Sequence, residues 1–172
     1  ERGRTEPRNI YGATKYAAEQ LCRLFHAEHG LNSIVLRTGR FFPEDDDTHS
    51  HPPGENLKAN EFLHRRLTVE DAARAHLAAL EKAPEIGFGT YIVSAPTPFS
   101  REDVAELKRD AAAVIARYCP EAPGLYAARG WVLPERIGRV YDSSRITREL
   151  DFAFDTGFAQ ILEALRSDAP LP

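Results

Sequence analysis

The stretch Tyr11-Gly12-Ala13-Thr14-Lys15-Tyr16-Ala17-Ala18-Glu19-Gln20-Leu21 decides how the rest of the chain is read. Tyr11 and Lys15 are four residues apart, so on a helix they share one face, one turn from each other. A neighbouring ammonium favours a phenolate, and a phenol tuned this way is an acid/base group. Ala13, Ala17, Leu21, Leu24 and Phe25 recur at helical spacing, and Tyr11 and Lys15 flank that stripe. Asn9 can cap the start and Gly30 can stop the end, so the spacing predicts a helix to about Glu28. Tyr16, one position further round, reads as core or dimer surface. A Tyr-xxx-Lys pair also recurs on ordinary helix surfaces, so its meaning comes from what surrounds it.

Downstream, Ser33–Thr38 (Ser-Ile-Val-Leu-Arg-Thr) is a β-prone run typical of a buried parallel strand. In the block His64–Ala73, Thr68 and Asp71 have the form of a helix cap. That helix should end near Ala83-Pro84, and Asp71 reads as a structural acid at its start. Gly89–Ser94 predicts a second strand. Ser100 and Asp103 form another capping pattern, opening a helix to about Tyr118. Ala122–Pro134 is loop-like and holds the only tryptophan, Trp131. Arg139–Ser143 reads as a short strand leading into a helix over Ser144–Leu150, and a last helix covers about Thr156–Leu165.

Three blocks together carry a resemblance. They are the Tyr11–Leu21 helix with Val35-Leu36-Arg37-Thr38, the His64–Ala73 run with its Val69-Glu70-Asp71, and the closing Asp142-Ser143-Ser144-Arg145 … Glu149-Leu150-Asp151-Phe152. This pattern resembles the extended short-chain dehydrogenase/reductases, the NAD-dependent epimerase/dehydratase group. The resemblance implies an α/β fold: the C-terminal part of a Rossmann-like doubly wound parallel sheet plus a small α/β substrate-binding lobe. Residues 1–42 would end the Rossmann-like domain and 43–172 form mainly the substrate lobe, with 67–94 returning to the former. It implies NAD or NADP as cofactor and a small-molecule substrate such as a nucleotide sugar. Tyr11 would exchange a proton with a substrate hydroxyl, and Lys15 would bond the nicotinamide ribose. Thr38, Gly39 and Arg40 would pass beside cofactor and substrate. Asn56, Lys58, Arg65 and Arg66 would meet the substrate. A homodimer built on the Tyr/Lys helix is also implied.

Arg40 departs from the pattern, standing where an Asn commonly contacts substrate. A guanidinium there suits a carboxylate or phosphate, which argues against an ordinary UDP-galactose-type substrate. The alternative is an internal salt bridge. Arg65 and Arg66 carry the same pair of readings. Glu44-Asp45-Asp46-Asp47 with His49 and His51 lacks metal-loop spacing, so no metal site is assigned. The stretch reads as a solvated loop that could act as a lid over the substrate pocket.

The bulk numbers narrow the classes. The 172 residues suffice for one domain with a real core, and 42% are hydrophobic. A net charge of -4 leaves no electrostatic footprint for nucleic acid. No apolar run reaches membrane-spanning length. Cys22 and Cys119 form no disulfide framework, which fits a reducing cytoplasm. The sequence has no methionine, starts with Glu1 and contains no glycine-rich turn for a dinucleotide pyrophosphate. The expectation is therefore a C-terminal portion that needs the N-terminal half of the same protein, with negligible NAD affinity and no turnover alone. The competing reading is a non-catalytic binding remnant of the same fold.

Overall fold

The computed structural model describes residues 6–41 and 54–172. Helix α1 (Ile10–His29) opens on Asn9, whose side chain accepts the Gly12 N–H, and closes on Gly30 in the left-handed region at φ 66°. Strand β1 (Ser33–Thr38) follows after a three-residue turn and pairs in parallel with β2 (Phe88–Val93), in register from Ser33 with Phe88 to Thr38 with Val93. A parallel pair needs a crossover. Its helices are α2 (Gly54–Phe62) and α3 (Val69–Ile86). Thr68 caps α3 by accepting the Asp71 N–H at 3.1 Å. The helix runs past Pro84, where a stop was expected, and ends at Gly87, whose φ of 74° turns the chain into β2.

Strand alternation sends the two faces of this sheet to different helices. Ile34, Leu36, Tyr91 and Val93 pack with Ala72, Ala75 and Ala79 of α3 and with Ile146 of α7 (Ser144–Glu149). Arg37 points the other way, to α1, where it forms a bidentate pair with Glu19 at 2.8 and 2.7 Å. α1 buries none of its residues: Leu21, Leu24 and Phe25 are each about half exposed.

A second core joins α2 to the C-terminal helices. Ala59, Phe62 and Leu63 meet Leu107, Val114, Ile115, Tyr126 and the apolar face of α8 (Phe158–Ser167). The helix expected from Ser100 to Tyr118 is divided. The Ser100–Asp103 capping box is present, but it opens a single 3₁₀ turn followed by α4 (Val104–Leu107). A second cap, Asp110 accepting the Ala113 N–H, then starts α5 (Ala111–Tyr118). The segment read as a loop contains α6 (Ala122–Ala128), with Pro123 in its first turn where a missing N–H costs nothing. Arg139–Ser143, read as a strand, is irregular. Among the described residues no helix is long and apolar enough to cross a membrane.

Candidate functional site

Two structural units frame the site: the α1–β1 seam and the crossing of the chain after β1 with the 65–67 segment. Tyr11 sits at the second position of α1 and is 67% exposed. The Lys15 Nζ lies 5.6 Å from its ring centroid. Both line a cavity of about 440 Å³, with Ala18 and Cys22 on the helix side and Ile34 to Thr38 on the strand side. The helical spacing thus does bring phenol and ammonium together over a strand. Neither group is sealed in apolar packing.

Beyond Thr38 the chain makes a close crossing. Gly39 donates its N–H to Val93 at 2.7 Å, and Arg40 exchanges backbone hydrogen bonds with the 65–67 segment in a parallel bridge. A Cβ on Gly39 would stand 2.5 Å from the Arg65 carbonyl oxygen, so only glycine fits there. Three guanidiniums meet one carboxylate at this crossing. Glu61 is 1% exposed and receives Arg65 at 2.6 Å, Arg66 at 2.9 Å and Arg40 at 3.5 Å. Arg66 is itself 3% exposed, whereas Arg40 and Arg65 reach the surface. Sequence reasoning did not single out Glu61, although its place four residues before Arg65 was a readable helical ion-pair signal.

His64 shares this corner. Burial, with Arg65 beside it, drives its pKa down to about 4 against the opposing pull of Glu61 and a hydrogen bond with the Arg139 backbone. Among the described residues its Nδ1 has no hydrogen-bond partner.

The remaining positions expected at the substrate lie elsewhere. Asn56 is fully buried, and its amide both donates to and accepts from the Val132 backbone at 3.0 Å. It therefore ties α2 to the segment after α6. Lys58 donates to the Leu171 carbonyl at 3.4 Å, close to the C-terminus. Asp71, read as a structural acid, is one: fully buried, it accepts the backbone N–H groups of Asp155 and Thr156 at 3.1 Å and pairs with Arg74 at 2.7 Å. The stretch from Glu44 to His51, with the lid and metal readings attached to it, lies outside the described residues. Among the described residues no three His, Cys, Asp or Glu side chains are grouped to hold a metal.

A sequence model of the NAD dependent epimerase/dehydratase family matches residues 1–93. The chain belongs to that family. Its match spans α1, the crossing at Gly39 and both strands. Among solved structures, UDP-N-acetylglucosamine 4-epimerase from Bacillus cereus superposes with a TM-score of 0.52 at 23% identity, over 94% of this chain and 51% of that one. The likeness shows a shared Rossmann-like α/β fold, and the chain spans about half the length of that epimerase. No curated protein matches the chain. Epimerase/dehydratase membership implies an enzyme family that uses a nicotinamide cofactor. The phenol and ammonium at the cavity are a donor set suited to the hydroxyls of a substrate and a ribose. No glycine-rich turn for the pyrophosphate occurs in the 172 residues. The phenol and ammonium thus suit the reacting end of such a cofactor.

Proposed function

We propose that this chain supplies the acid/base half of an NAD(P)-dependent epimerase/dehydratase or related oxidoreductase, acting on a nucleotide sugar or similar hydroxy or keto compound. The observation that carries this reading is the Tyr11–Lys15 pair, one helical turn apart and facing a cavity over β1. A nicotinamide, when bound, supplies hydride acceptance and donation. The Tyr11 oxygen, as phenolate, takes a proton from a substrate hydroxyl and, as the phenol so formed, returns one to a carbonyl, so that charge does not build on the substrate oxygen. Lys15, one turn on, offers donors to a ribose. Arg40 and Arg65, anchored by Glu61 yet reaching the surface, face a carboxylate or phosphate of the substrate. Asn56 serves in this reading as a clamp on the substrate lobe. The exposed stripe of Leu21, Leu24 and Phe25 is where a second copy, or the N-terminal half of the same protein, would pack.

The test is Tyr11→Phe in the protein as its gene encodes it, with conversion of each member of a panel of nucleotide sugars followed by chromatography, and NAD(P)H formation followed alongside for a net oxidation. The hydroxyl is exposed, so folding should be unchanged while turnover falls by orders of magnitude. Equal turnover in the variant removes Tyr11 from the mechanism.

A further inference from the structure

On the opposite flank of α1 from the Tyr11 cavity, three guanidiniums from three elements line one groove of about 390 Å³: Arg23 of α1, Arg37 of β1 and Arg145 of α7. Arg23 stacks over the Phe88 ring at 4.6 Å, and Arg145 over the Tyr91 ring at 4.7 Å. Stacking holds the Arg23 guanidinium flat with its N–H edges aimed sideways, which preorganises it for an oxyanion contact, whereas Arg145 donates to Glu149 and to the Thr90 carbonyl at 3.0 Å. The charges do not cancel. Arg37 is matched by Glu19, and Arg145 by Glu149 at 2.9 Å. Among the described residues no carboxylate lies within ion-pair distance of Arg23, so the groove keeps one uncompensated cation. Thr90, Gln20 and Tyr16 add hydroxyl and amide donors to the walls.

We propose that this groove binds a small phosphate-class anion of about pyrophosphate size. Arg23 carries the attraction, Arg145 forms the opposite wall, and the neutral donors take the remaining oxygens. The site shares only the Glu19–Arg37 pair with the cavity at Tyr11 and Lys15, and it does not depend on the acid/base reading of those two residues.

The experiment is calorimetric titration of the full chain with inorganic pyrophosphate at low ionic strength. Saturable binding with a Kd of about 1 mM or tighter is expected, weakening as salt is raised. Arg23→Gln should weaken it about tenfold or more, the worth of one charged hydrogen-bonding group. Arg136→Gln, an exposed arginine outside the groove, should bind as the wild type does. No saturable binding by the wild type, an unweakened Arg23→Gln, or an equal loss in Arg136→Gln would each overturn the proposal.

Discussion

His64 makes the stability of this fold depend on pH in a window of its own. Its pKa is about 4 in the folded chain against an ordinary value of 6.5, because burial and the neighbouring Arg65 disfavour the imidazolium. The unfolded chain therefore binds the proton more readily. Stability must rise with pH wherever the unfolded state holds more protons. The neutral imidazole's contribution is complete above about pH 6.5, declines as the pH falls, and levels off below about pH 4. The difference between the two pKa values is worth at most roughly 3 kcal/mol. Replacing the ring by a side chain that cannot titrate, yet can still donate to the Arg139 backbone, isolates the effect, and His64→Gln meets both conditions. Urea unfolding of both proteins at about pH 7, 5.5 and 4.5 should give curves that converge as the pH falls, the wild type losing roughly 2 to 3 kcal/mol more than the variant. The other histidines contribute equally to both and cancel. Asp103, Asp142 and Glu149 act at lower pH. Hydrogen bonds from the Ser100 backbone, the Ser144 side chain and Arg145, respectively, hold these carboxyls below the usual carboxylate range. Their contribution is present above the unfolded value and is lost as pH falls through the folded one. Parallel wild-type and variant curves between about pH 7 and 4.5 would refute the reasoning.

Two further changes test the packing that positions the site. Gly39→Ala places a methyl group 2.5 Å from the Arg65 carbonyl oxygen, a backbone atom with little room to yield, and should cost about 1 to 3 kcal/mol in urea unfolding. Asp71→Ala strips the Asp155 and Thr156 N–H groups of their acceptor and Arg74 of its buried partner, so a loss of about 3 kcal/mol is expected in the same assay.

The parts of this fold that were legible in the sequence are those in which local chemistry and packing agree. Asn9 and Gly30 bound α1 because a capping side chain and a left-handed glycine act within one turn. Ser33–Thr38 is a strand because six β-prone residues fill the slot between two helices. Thr68 and Asp71 open α3 by the same short-range logic. Where a second local signal competed, the reading failed. Asp110 caps a new helix inside what periodicity treats as one, and a proline in a first turn helps α6 begin inside apparent loop text. Pro84 did not stop α3, since losing one hydrogen bond near a helix end is affordable when Gly87 provides the turn.

Charged residues of the candidate site divide along another line. Sequence spacing alone can place Tyr11 and Lys15 together, because a helix fixes the relation of residues four apart. It cannot distinguish an arginine facing a ligand from one neutralised internally, since that depends on a partner brought by the fold. Arg40 reaches Glu61 only because Gly39 lets β1 pass against the 65–67 segment. Arg66 is almost fully buried, and the Glu61 carboxylate meets its charge there at 2.9 Å. Arg65 and Arg40 differ from it in exposure and not in residue type, and exposure is a property of the assembled crossing. Asn56 makes the same point with a neutral group: its amide suits a ligand and a backbone equally, and the burial of α2 against Val132 gives it to the backbone.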